Sequence, residues 1–116
     1  MKVCIDIDGT ICPTRKSHEK YEDLVPLDDA VTSIQSLKQE GNYIILYTAR
    51  NMKTQSNNIG KIIAKQGKVL IDWLEKWEIP FDELLFGKPL ADIYIDDKGY
   101  KFENWKTTYT DLQSLG

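Results

Sequence analysis

The chain has 116 residues, 41% of them hydrophobic and 28% charged, with a net charge of −3 at pH 7. That is the size and mix of one globular domain, so residues 1–116 are read as a single unit. The acidic balance argues against generic binding to nucleic acid or an anionic membrane, and no run approaches the ~18 apolar residues of a membrane span. The N-terminus enters a strand pattern with no signal-peptide architecture, and a cytoplasmic protein is expected. Cys4 and Cys12 make no disulfide framework. The only histidine, His18, excludes a multi-histidine metal site.

In chain order, "KVCIDI" reads as a buried strand over residues 2–7. "TRKSHEKYEDL" is polar and reads as a loop or small flap, in which His18 and Tyr21 could line a site mouth. "PLDDAVTSIQSLKQEG" reads as a helix, with Ala30, Val31, Ile34 and Leu37 on one face, Asp28 or Asp29 at its start and Gly41 at its end. "NYIILYT" is a second strand and "ARNMKTQSNN" a polar loop. Thr54 to Trp77 is helical in pattern, although Gly60 and Gly67 argue against one unbroken helix. "DELLFG" is a third strand and "ADIYID" a fourth. The aromatic tail from Gly99 to Gly116 reads as a lid over one sheet edge. Strands alternating with helices predict an α/β fold, a parallel sheet with helices on both faces.

Ligands of such sheets bind at the carboxyl ends of the strands. Those ends are Asp6-Ile7-Asp8-Gly9-Thr10, Thr48-Ala49-Arg50, Gly87-Lys88-Pro89 and Asp96-Asp97. Gathered at one rim, the four acids repel one another, and a divalent cation relieves that repulsion. Oxygen-only ligation favours Mg²⁺. With Mg²⁺ offsetting like charges, an aspartate can attack a phosphate monoester and form an aspartyl-phosphate. Asp6, at the strand tip, is the expected nucleophile, and Asp8 the acid that protonates the leaving alkoxide and then activates water. Gly9 allows close backbone approach to phosphate, Thr48 offers a hydroxyl, Lys88 supplies positive charge, and Asp96 and Asp97 complete the metal site.

The set DIDGT, the threonine of LYTAR, the lysine of GKP and the DD of YIDD resembles, in order and approximate spacing, the four motifs of the haloacid dehalogenase-like (HAD) phosphohydrolase superfamily. The resemblance spans residues 3 to 97. It implies a Rossmann-like sheet flanked by helices, with Asp6 as nucleophile, Asp8 as acid/base, and Thr48 and Lys88 as phosphate and nucleophile binders. It implies Mg²⁺ held by Asp6, the Asp8 main-chain carbonyl and Asp96, with Asp97 beside it. Gly9, Thr48, Ala49, Arg50 and Lys88 are the expected substrate contacts. "TARNMKTQSNNIGKI", "GKPLADIYIDD" and "KFENW" resemble the small phosphatases of capsule and lipopolysaccharide biosynthesis, where arginine often follows the paired acids; here Lys98 and Gly99 stand. The spacing leaves a short flap after the first strand and no room for a cap domain.

The expected function is therefore Mg²⁺-dependent hydrolysis of a phosphate monoester, with a sugar phosphate of polysaccharide biosynthesis as substrate. Nucleic acid is not expected as a partner, nor a membrane, and a homo-oligomer is left open. The alternatives are a nucleic-acid end (3′) phosphatase or a nucleotide phosphatase, then a non-catalytic binding subunit. A phospho-receiver domain lacks its accepting aspartate between Tyr47 and Lys53. Blander readings attach to several residues: Lys61, Lys65 and Lys68 as a solvated face, Asn57 and Asn58 as caps, Trp73 and Trp77 as core or interface. Arg50 stands evenly between substrate contact and surface ion pair. Cys4 is read as inert core and Cys12 as an incidental thiol near the rim.

Overall fold

A computed structural model describes residues 1–115. Three parallel strands, β1 (Lys2–Asp6), β2 (Tyr43–Thr48) and β3 (Glu83–Phe86), form one sheet in the order β1-β2-β3. Helix α1 (Ala30–Gln39) connects the first pair and α2 (Ile59–Lys76) the second; α3 (Trp105–Gln113) follows later. Cys4 pairs with Ile45 and Asp6 with Tyr47, while Thr48 pairs with Phe86, so all three strands end near one rim. The parallel sheet flanked by helices, with no cap domain, agrees with the expected α/β class.

The helices do not cover both faces equally. Both crossovers step the same way across the sheet, and right-handed connections then place both helices on one side. The side chains alternate accordingly. Ile5, Ile7, Ile44, Leu46 and Thr48 are buried, whereas Cys4, Tyr43 and Leu85, pointing the other way, are exposed. One continuous core joins the inward face to Ile34 and Leu37 of α1, Leu70, Trp73 and Leu74 of α2, and Trp105 of α3. Cys4 is thus exposed and Cys12 buried, the reverse of the expectation, because Cys4 sits on the uncovered face and Cys12 turns back under β1.

Helix α2 runs unbroken through Gly60 and Gly67. Asn58 caps it, accepting from the Lys61 N–H at 3.1 Å. The start of α1 has no side-chain cap; Asp29 precedes it in the left-handed region at φ 64°. Asn104 caps α3 at the Thr107 N–H, and Trp105 inserts into the core.

The predicted fourth strand does not form: residues 89–98 pair with no strand, and Ile93 and Ile95 are 74% and 91% exposed. A strand needs a neighbour's hydrogen-bond ladder as well as alternating apolar residues. Here the chain leaves the sheet at Pro89, and Tyr94 folds back so that its hydroxyl donates to the Pro89 carbonyl and its ring lies under the Lys88 ammonium.

Candidate active site

Two of the four predicted strand-end motifs converge with the third. Directly after β1 the chain turns tightly: the N–H groups of Thr10, Ile11 and Cys12 all point to the Ile7 carbonyl, and the Gly9 N–H donates to the Cys12 carbonyl at 2.7 Å. Gly9 adopts φ 89°, a region costly to a residue with a Cβ. The turn presents Asp6 and Asp8 at the mouth of the sheet. β3 ends at Phe86; Gly87 follows with φ 92°, and the Lys88 N–H then donates to the Thr48 carbonyl at 3.1 Å. This returns the Lys88 ammonium to 3.4 Å from an Asp6 carboxylate oxygen.

Asp8 is held differently. The Arg50 Nε–H lies 3.0 and 3.1 Å from its two oxygens, and the Thr48 hydroxyl donates to one of them at 2.9 Å. Arg50 is only 3% exposed. Its Nη2 reaches the Cys12 sulfur at 3.8 Å, and its guanidinium carbon sits 4.2 Å from the Tyr21 ring centroid. Nη1 is buried without a hydrogen-bond partner. Arg50 is thus not a surface ion pair but a buried cation bound to Asp8 at the edge of the cleft.

Burial raises the pKa of Asp6 above the ordinary carboxylate range; Lys88 opposes the shift and the neighbouring Asp8 adds to it. Burial also pushes the Cys12 thiol up to about 12, with Asp8 contributing and Arg50 opposing.

The cleft over these groups has a volume of about 380 Å³. Asp6, Asp8, Ala49, Arg50 and Lys88 line it, as does Tyr21 of the flap, joined by Arg15, Lys53 and Tyr94, whose part in the site went unread in the sequence. Arg15 and Lys53 were legible only as bases in the loops that leave β1 and β2. A second groove of about 440 Å³, between Glu22 and Asp23 on one side and Asp72 and Lys76 of α2 on the other, is lined by no residue of the strand ends. His18 is exposed and outside the cleft. Thr48 is fully buried behind Asp8, and its hydroxyl also accepts from the Arg50 N–H at 3.0 Å. The Gly9 N–H is occupied by Cys12.

Asp96 and Asp97 do not join the rim. Asp96 accepts from the N–H groups of Lys98 and Gly99 at 2.7 and 2.5 Å in an exposed turn. Among the described residues, no three or more His, Cys, Asp or Glu side chains group to hold a metal ion. As arranged, Asp6 and Asp8 each face a protein cation, Lys88 and Arg50.

No protein-family model and no curated protein matches the chain. Two solved structures are similar. A chain of the Pnkp1/Rnl/Hen1 complex is 20% identical with a TM-score of 0.52, over 83% of this chain and 30% of that one, a likeness of fold. That likeness corrects the expectation that set nucleic acid aside as a partner. Net charge is a poor guide here: a phosphate meets the local field, and Arg15, Arg50, Lys53 and Lys88 all line the cleft of this acidic chain. No described helix is long and apolar enough to cross a membrane. The MCSG target crystallised from Vibrio cholerae is 30% identical with a TM-score of 0.79, over 99% of this chain and 98% of that one. The chain belongs to the same family as that Vibrio cholerae protein, with a small Rossmannoid α/β fold that resembles the HAD-type hydrolases.

Proposed function

We propose that the chain hydrolyses phosphate monoesters through an aspartyl-phosphate on Asp6, and that the phosphate is terminal on a nucleotide or a nucleic-acid end. The observation that carries the chemistry is the pairing of Asp6 with Lys88 at 3.4 Å, beside an Asp8 held by Arg50 and Thr48, at the open end of a parallel sheet. In the first step an Asp6 oxygen bonds to phosphorus as the ester P–O bond breaks. Asp8, which must first take up a proton against the pull of Arg50, gives that proton to the departing oxygen. Water then attacks phosphorus, Asp8 recovers a proton from it, and the Asp6–phosphate bond breaks. Lys88 opposes the burial that disfavours the charged form of Asp6 and offsets the negative charge of the incoming phosphoryl group.

Mg²⁺ enters this reading through the sequence resemblance; it would offset charge between Asp6 and phosphate, held by Asp6 and the Asp8 carbonyl with Asp96 and Asp97. In the arrangement described those last two stand apart, and the protein's own groups carry every step above. The nucleotide or nucleic-acid class is favoured by the fold likeness to the nucleic-acid-processing complex and by the cations lining an uncapped cleft. A sugar phosphate has only the sequence resemblance behind it.

The test is inorganic phosphate release from nucleotides, 3′-phosphorylated oligonucleotides and sugar phosphates, with Mg²⁺ and with excess chelator. Release from the first two, absent in Asp6→Asn, is expected. Release from sugar phosphates alone overturns the substrate class, and release undiminished in Asp6→Asn overturns the mechanism. Full turnover in chelator removes Mg²⁺.

A further inference from the structure

The flap between β1 and α1 is pinned at both ends by indoles. Trp105 Nε1–H donates to the Thr10 carbonyl at 2.7 Å, and Trp73 Nε1–H donates to the Leu24 carbonyl at 2.7 Å. Between those pins the flap is tied to itself by Arg15, whose Nη1 donates to the Glu19 carbonyl at 2.9 Å. Tyr21 opens a short 3-10 turn, Tyr21–Asp23, and its ring reaches the site. The ring centroid lies 4.2 Å from the Arg50 guanidinium carbon and 4.9 Å from that of Arg15.

The Arg50 guanidinium has three directions to satisfy. Nε is taken by Asp8, Nη2 by the Cys12 sulfur, and Nη1 is buried with no acceptor. A buried cation short of one acceptor keeps its orientation only if something compensates. The negative face of an aromatic ring does so, and its attraction grows as water is excluded.

We propose that Tyr21 is a positioning residue for the candidate active site: its ring holds the Arg50 guanidinium in place, and Arg50 in turn fixes the Asp8 carboxylate beside Asp6. The activity consequence rests on the phosphatase reading above; the contact itself does not. Tyr21 acts through its ring face, so phenylalanine preserves the function and leucine, which fills similar space without a π face, does not.

The experiment compares Tyr21→Phe and Tyr21→Leu by two readouts. One is the Arg50 Nε–H resonance in nitrogen-15 spectra, assigned by its loss in Arg50→Lys. The other is hydrolysis of para-nitrophenyl phosphate. In wild type the Nε–H signal is expected to be exchange-protected and to show a nuclear Overhauser contact with the Tyr21 ring. Tyr21→Leu is expected to lose that protection and to lower kcat about 10-fold with KM changed less than about two-fold. Tyr21→Phe is expected to rescue both. A protected signal and unchanged kcat in Tyr21→Leu overturn the proposal, as does a Tyr21→Phe variant that behaves like Tyr21→Leu. If Tyr21→Leu fails to fold, the Overhauser contact in wild type decides, and its absence overturns the proposal. If wild type hydrolyses nothing, the phosphatase reading falls, and the resonance alone decides whether Tyr21 holds Arg50.

Discussion

Arg50 and Asp8 share a bifurcated contact, Nε lying 3.0 and 3.1 Å from the two carboxylate oxygens, with only 1% of the arginine side chain and 21% of the aspartate exposed. Removing one partner of a buried pair leaves the other charge without its counter-ion. Arg50→Met is therefore expected to lower unfolding stability by about 3 kcal/mol, read as the shift in urea midpoint. Asp8→Asn strands the more deeply buried charge and should lose at least as much, although the amide oxygen can still accept from Nε. A negligible loss for both variants would mean that the ion pair is not what holds this corner.

The two indole pins give a second prediction. Trp105→Phe and Trp73→Phe each keep most of the ring and leave the Thr10 or Leu24 carbonyl without its donor. Each is expected to destabilise by about 1–3 kcal/mol. Limited proteolysis should cut faster among the exposed residues from Pro13 to Ser17 in both variants. Cutting at the wild-type rate would mean that the indoles do not restrain the flap.

Gly87 and Gly41 separate a clash from backbone strain. Both have positive φ, 92° and 93°. A Cβ at Gly87 would stand 2.6 Å from the Ile59 Cδ1, whereas one at Gly41 meets nothing within 4 Å. Gly41→Ala is expected to lower stability by about 1–2 kcal/mol from the left-handed backbone alone. Gly87→Ala should lose more, and should also cut phosphate release, since it shifts Lys88. Equal losses would place no weight on the Ile59 contact.

Thiol reactivity should divide cleanly. Cys12 is buried, and its pKa is raised to about 12, which leaves almost no thiolate at neutral pH; Cys4 is exposed although its own pKa is raised by partial burial. A disulfide reagent is expected to label Cys4 slowly in the native protein and both thiols in denaturant. Native Cys4→Ser should remain unlabelled, and labelling of that variant would contradict the burial of Cys12.

Asp82 sets part of the acid limb of stability. It binds the Lys38 ammonium at 2.7 Å and the Ile44 N–H at 2.8 Å, and both hold its pKa below the ordinary carboxylate value, Lys38 most strongly. A native value below the unfolded one means stability that is complete above the ordinary range and lost as pH falls through the native value. Urea midpoints followed from about pH 6 to pH 2 should decline less steeply in Asp82→Asn than in wild type. Identical slopes would show that Asp82 titrates alike in both states.

Much of this was readable before any coordinates. Alternation of Val3, Ile5 and Ile7 marks a strand whatever surrounds it, and the amphipathic spacing of Ile62, Leu70, Trp73 and Leu74 marks α2. Asp6, Asp8 and Lys88 follow strand ends, and in a parallel sheet those ends meet by topology, so their convergence was legible. What the pattern could not tell was which face of the sheet the helices would cover. A period of two says that residues alternate, not where helices lie; that depends on crossover handedness and strand order, and it exposed Cys4 and buried Cys12. Nor could "ADIYID" say whether a neighbour would accept it as a strand, which left Asp96 and Asp97 in an exposed turn. Arg50 was the least legible of all. Its partners are Asp8, 42 positions away, and Tyr21 in the flap, and only the folded chain brings a guanidinium, a carboxylate and a ring together out of water. The sequence by itself determined the local elements and the acids and bases at their ends, because those rest on neighbours within a turn or a strand. The tertiary structure decided which of them pair, because burial and counter-ions are set by chain segments far apart in sequence.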